Sequence, residues 1–434
     1  MSARMMLRGA LALLAASASL PALAADVAFT NATVVIGDGS APIEHGTVVL
    51  RDGKVLAAGA NVSVPAGATV VDAAGKWVTP GLVVAVTDLG LLDVGAVSDS
   101  NDTEADKSVF NAALDVSTAI DPDAMPLEVS RAGGVTRAAV IGSASTSIFA
   151  GQGAYIDLAA GPNAIDRPRA FQFVELGERG AALAGGSRLA AQAMLRNALR
   201  EAREIAQAPA GARRDDVLLT RSDAAALVPV VTGRQPLFVH VERAADIRQA
   251  LALKSEYPAL DLVIVGAAEG WRVAGELAAA RVPVITQGVT DLPGRFETMA
   301  ATQSNVGRMV KAGVRVAIGG MFDNDQPRYA PQYAGNLVGV AKMPGATGLT
   351  WGQAFAAISS VPAAIMGEGA AYGSLLPGRA GDVVVWDGDP LEVGNAPLKV
   401  YIDGVEQPVS NHQTRLRERY RHPAPGALPK AYDW

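Results

Sequence analysis

The sequence predicts an α/β protein: a (β/α)8 TIM-like barrel plus a small β-sandwich that the N- and C-terminal segments build together. Three observations predict it. Valine-rich segments with strand alternation, broken by Gly, Asp and Asn turns, stand near both chain ends. Between them, continuous apolar runs of strand length alternate with helical stretches. Half of the 434 residues are hydrophobic, 46 are glycine and only 18% are charged, a composition suited to a well-packed α/β core and opposed to disorder.

Taken in order, residues 1–25 come first. Arg4 and Arg8 precede an apolar run, Pro21 and the small-residue pattern Ala22-Leu23-Ala24. This predicts a secretory signal peptide cleaved near Ala24, and so a periplasmic or secreted protein. As a membrane anchor the run is short of the ~20 residues a span needs. Of the 37 basic residues, cleavage removes two and no acid, leaving 35 against 43 acidic residues. A chain with that acidic balance is a poor partner for nucleic acid or an anionic membrane. There is no cysteine, hence no disulfide, no thiolate ligand and no lipid-modified cysteine.

Residues 26–80 read as the antiparallel N-terminal part of the sandwich. "VAFTNATVVIGDGS", "GTVVLRDGKVLAAG" and "ATVVDAAGKWVTPG" carry it, and "GDVVVWDGDP" and "LKVYIDGVEQPV" within residues 371–410 complete it. Residues 81–370 hold the barrel. "GLVVAVTDL", "GVTRAAVIG", "QPLFVHVE", "DLVIVGA", "RVPVITQG" and "VRVAIGG" are mainly apolar runs, as parallel strands covered on both faces should be. A helix is expected over residues 187–208, with Ser187 as N-cap, and two more in "AADIRQALALKSEY" and "EGWRVAGELAAA". An open doubly wound sheet is the rival architecture, but no Gly-x-Gly-x-x-Gly opens a helix after the first strand. Residues 411–434 read as a short Arg-rich helix and a Pro-rich tail.

Several of these stretches resemble the amidohydrolase superfamily, its imidazolonepropionase-like branch in particular. The tokens are "GKWVTPGL", "GVTRAAVIG" with "AGQGAYI", "FVHVERAADI" and "GSLLPGRAGDVVVWDGDP". The resemblance implies a metal at the C-terminal mouth of the barrel. Its ligands would be His-x-His from the first strand, single histidines from the fifth and sixth, and an Asp from the eighth. Such a metal lowers the pKa of a bound water.

This chain departs from that pattern at most ligands. Val86 and Asp88 stand at the His-x-His positions, and Gly266, Ala267 and Ala268 where the sixth-strand histidine belongs. Gly320 and Met321 stand where the eighth-strand Asp falls, with Asp323 and Asp325 just beyond in "FDNDQPRY". His240 matches the fifth-strand histidine, while His45, His412 and His422 lie outside the barrel segment.

The candidate catalytic residues are therefore Asp88, His240 and Asp323. Glu242 shares a strand face with His240, being two residues on, so a His240–Glu242–Asp88 metal site of mixed ligands is conceivable. No cofactor is assigned beyond one divalent metal, Zn²⁺, Mn²⁺ or Mg²⁺, should any bind. Gln152, Glu175 and Arg188 are the candidate substrate-binding residues. Gln152 closes a hydroxyl-rich stretch, read as a loop over residues 142–153. Arg188 follows "GGS" at a helix start, where free N–H groups could hold an anion. A Ser/His/Asp mechanism lacks a Gly-x-Ser-x-Gly elbow.

Two functions follow. One is an exported hydrolase of a non-peptide carbon–nitrogen bond with a degenerate metal site. The alternative is a pseudoenzyme, an inactive barrel that binds a small molecule or protein partner; beside both stands a subunit that completes or stabilises a catalytically intact homologue. The expected partner is a small molecule, with a homodimer left open.

Overall fold

The computed structural model describes residues 26–95, 97–208, 216–322 and 326–421. The expected signal peptide, Asp323, Asp325 and the Pro-rich tail lie outside the described residues.

Both chain ends meet in one eight-stranded sheet. From the N-terminal side it takes β1 (Val27–Val34), β2 (Ile43–Arg51), β3 (Lys54–Gly59), β4 (Thr69–Asp72) and β5 (Trp77–Pro80). A closed barrel follows: β6 (Leu82–Thr87), β7 (Val135–Val140), β8 (Phe149–Asp157), β9 (Ile165–Glu175), β10 (Leu237–Val241), β11 (Leu262–Gly266), β12 (Val284–Thr286) and β13 (Val316–Met321). The chain then returns to the first sheet as β14 (Val383–Trp386), β15 (Pro397–Ile402) and β16 (Val405–Gln407). The junction is the antiparallel pair β5–β14. The terminal sheet is not purely antiparallel, since β1 runs parallel to both β4 and β5.

All six apolar runs named from the sequence are barrel strands, and β6 and β7 are buried along their whole length. The remaining two, β8 and β9, depart from the repeating βα pattern. β8 pairs antiparallel with both β7 and β9, whereas the other neighbours around the barrel are parallel. The reason is connection length. Residues 141–148 and 158–164 are shorter than the dozen or so that a crossover between parallel strands requires, so each link must turn the chain back. The stretch expected as a loop over residues 142–153 is accordingly already strand from Phe149.

Helices cover the outside. The expected long helix spans Arg188–Gln207, and the Ser187 hydroxyl accepts the Leu189 N–H at its start. The next two gaps hold helices Ala244–Glu256 and Ala274–Ala280. Among the described residues no helix is long and apolar enough to cross a membrane.

Inside the barrel the lower half is filled by aromatic rings. Tyr155, Phe171 and Phe238 stack at centroid distances of 5.8 Å and 4.3 Å. Gly153 makes the stack possible: a Cβ there would lie 2.1 Å from the Phe171 ring. The stack fills the interior below the mouth, the end at which barrels of this kind carry their sites.

One buried cation ties the barrel to the terminal sheet. Arg137 on β7, 5% exposed, meets Asp382 through Nε (2.8 Å) and Nη2 (3.1 Å), Asp166 at 3.0 Å and Asp403 at 2.9 Å. Burial opposes its charge, and the aspartates, Asp382 foremost, outweigh it and raise its pKa. Arg137→Met should therefore destabilise the fold by about 3–5 kcal/mol, because the aspartates around it lose their counter-ion. Urea unfolding reads this directly. A loss under about 1 kcal/mol, the range of a surface pair, would show that the node does not hold the two parts together.

Candidate functional site

A cavity of about 490 Å³ opens at the C-terminal ends of the barrel strands. Its centre is His240 on β10, with 22% of its side chain exposed. The pairing of β9 with β10 sets His240 directly beside Glu175. Nδ1 lies 2.6 Å from Glu175 Oε1, and Nε2 lies 3.2 Å from Glu242 Oε1. Glu242 also accepts the Ala268 N–H through Oε2 at 2.8 Å.

An ionised carboxylate can only accept, so contacts at both ring nitrogens call for two N–H groups, the imidazolium form. The electrostatics agree. Burial works against the charged ring, but Glu175 first and then Glu242 more than offset it, raising the His240 pKa well above its ordinary 6.5. Burial likewise pushes the Glu242 carboxyl up, and the His240 ring and the Ala268 N–H outweigh that, leaving it below the usual value.

Of the candidates named from the sequence, the fold brings His240, Glu242 and Glu175 together. Asp88 is buried just past β6 and is not among the cavity-lining residues. Gln152 sits on β8 opposite Gln172, where it accepts from Gln235 Nε2 at 3.4 Å, away from the cavity lining. Arg188 is also outside the lining. Its charge is met by Asp246 at 3.1 Å, Glu297 at 3.2 Å and Glu178 at 3.7 Å, so it serves an ion-pair cluster rather than a free anion. Ser187, rather than a ligand, takes the Leu189 N–H.

The ligand set that the resemblance implies does not assemble from the described residues. Val86 is fully buried and holds φ at 64°, a left-handed conformation that is strained for a β-branched residue. The β6–β7 register shifts between Val84 and Thr87. That irregularity breaks the alternation by which residues 86 and 88 would share a face. At Gly266, φ is 89°, and an added Cβ would lie 2.8 Å from the Glu242 carboxylate and 2.9 Å from His240 Cδ2. A histidine has no room there. Both nitrogens of His240 are already engaged. Among the described residues no three His, Asp or Glu side chains converge as a metal site.

The comparisons with known proteins agree with this architecture. An amidohydrolase from Thermotoga maritima MSB8 superposes with a TM-score of 0.76 at 25% identity, over 88% of this chain and 99% of that one. The fold is that of an amidohydrolase. Molinate hydrolase (TM-score 0.54, 17% identity, 94% of this chain and 98% of that one) and phenylurea hydrolase B (0.52, 14%, 93% and 100%) share the fold. Among curated proteins, amidohydrolase tasK of Hapsidospora irregularis is 45% identical over 60 residues. That match takes in 14% of this chain and 6% of the relative's length. No family model matches the sequence. Together these likenesses support the amidohydrolase superfamily.

Two arginines of the cavity lining escaped the reading of the sequence. Arg179 follows Glu175 by four positions in "ELGERG" and lies in the lining, donating to the Ala144 carbonyl at 2.7 Å and pairing with Glu104 at 3.1 Å. Arg295 comes from the loop after β12 and is 61% exposed. A cation just beyond a barrel-strand end was the available signal for both.

The raised His240 pKa has a thermodynamic consequence. Native His240 keeps a proton that the unfolded chain releases near 6.5, so its contribution to stability is complete below about pH 6.5 and is lost as pH climbs through the native value. The unfolding free-energy gap between the wild type and Glu175→Gln should be widest below that pH and shrink above it. A gap that grows with pH would contradict the assignment.

Proposed function

We propose that the chain is an exported hydrolase of the amidohydrolase superfamily that cleaves a non-peptide carbon–nitrogen bond, with His240, Glu175 and Glu242 as its working centre. The observation that carries this reading is the imidazole held between two carboxylates at the mouth of an amidohydrolase-type barrel, inside a cavity of small-molecule size. The inherited metal site is degenerate on this reading, so the chemistry falls to side chains.

The steps balance as acid–base hydrolysis. The oxygen of a water molecule attacks the carbonyl or amidine carbon, and Glu175 takes the proton it loses. The carbon–nitrogen bond breaks as the His240 imidazolium delivers a proton to the leaving nitrogen. Glu242 holds the ring in place through Nε2 until that transfer. Thr286 and Ser143 in the lining can hydrogen-bond the substrate, and the exposed Arg295 suits an anionic group on it.

A second reading, a barrel that binds the same class of molecule without turnover, has one observation in its favour. Both His240 nitrogens are occupied by the protein's own carboxylates, so ligand must displace one of them before proton transfer. A screen of lactams, hydantoins and acylated amino acids separates the two. With a turned-over substrate, His240→Ala and Glu175→Gln should each lower kcat by about 10²–10⁴-fold, while Arg295→Ala raises KM with kcat retained. Ligands that raise Tm and are recovered intact support the binding reading instead. Hydrolysis unaffected by His240→Ala would remove the proposed centre altogether.

A further inference from the structure

Gly266 and Glu242 compete for one space. Gly266 ends β11, and the position its Cβ would take is filled by the Glu242 carboxylate and the edge of the His240 ring. The backbone around them is zipped: Ala267 N–H donates to the Val241 carbonyl at 2.7 Å and Glu269 N–H to the Glu242 carbonyl at 3.0 Å. Glu242 therefore arrives with its backbone fixed. Both of its oxygens are committed, Oε1 to His240 and Oε2 to the Ala268 N–H. Glycine at 266 serves two needs at once, a left-handed backbone and an absent side chain.

We infer that Gly266 and Glu242 are a matched positioning pair that seats His240 and closes the Nε2 side of its ring to a divalent cation. The inference does not depend on turnover, since a binding protein and a hydrolase would need the same pair. Its grounds are steric and geometric. A cation on this side of the ring would have to displace Nε2 from Glu242, and Glu242 from a backbone N–H that it caps. The space for a replacement ligand at 266 is already full.

The test reads metal content, ring signals and stability in the full chain without reference to activity. The wild type, stripped with chelator and then dialysed against Zn²⁺ or Mn²⁺, should hold neither near stoichiometry. Its His240 ring nitrogen signals, read by ¹⁵N NMR, should report the contact with Glu242. Glu242→Gln, which keeps the shape and removes the charge, should shift those signals without admitting metal. Gly266→Ala should lower Tm, and adding Glu242→Ala should restore part of the loss, so that the double variant falls by less than the sum of the singles. Where Gly266→Ala fails to fold alone, recovery of folding in the double variant is the same result. Near-stoichiometric Zn²⁺ or Mn²⁺ in the wild type overturns the inference. So do additive Tm losses, or ring signals indifferent to Glu242→Gln. Failure of the hydrolase reading would leave all of these readouts unmoved.

Discussion

The candidate site depends on one constraint, the register in which β9 runs beside β10. Parallel pairing sets residue against residue, and in this register Glu175 falls beside His240 although 65 positions separate them. A slip by a single residue would turn the whole inward set of β9 outward. Phe171 and Phe173 lie on the same face as Glu175, so the packing that fills the barrel floor is what holds the carboxylate in position. The polar centre is thus anchored by apolar stacking, and the two cannot be varied independently.

That register is reached through an irregular route. β8 runs against its neighbours, and the antiparallel pairs on either side of it deliver the chain to β9 without a crossover helix. Closing the barrel this way leaves no open sheet edge. Left-handed backbone at Val86, Gly266, Ala267 and Gly320 falls at the C-terminal ends of β6, β11 and β13, around the same mouth that holds the cavity. The glycines take that conformation freely, whereas at Val86 and Ala267 it is strained and is held by the buried strands beneath. The left-handed Gly266 in turn leaves the space that Glu242 fills.

Charge is handled in the same way at both ends of the barrel. At the bottom, Arg137 is enclosed by aspartates and joins barrel to sheet. At the top, His240 is enclosed by glutamates. In each case acids from separate elements converge on one basic side chain, buried at Arg137 and partly buried at His240. Arg188 follows this logic too. Its three carboxylate partners come from different segments around the helix it begins, which explains why an arginine after "GGS" supports the scaffold instead of a ligand.

What the sequence determined by itself was local. Mainly apolar runs marked six of the barrel strands because strands buried on both faces must be apolar along most of their length. Ser187 marked a helix start because a hydroxyl there satisfies an otherwise orphaned N–H. The spacing of His240 and Glu242 marked a shared strand face, and the two side chains do meet. The tertiary structure alone decided the rest. It reversed β8, since connection lengths and not composition dictate strand direction. It took Asp88 out of the cavity lining, since an irregularity at Val86 interrupts the alternation that a regular strand would keep. And it chose Glu175 as the partner of His240, because strand register is a property of packing between distant segments, and no local pattern in either segment carries it.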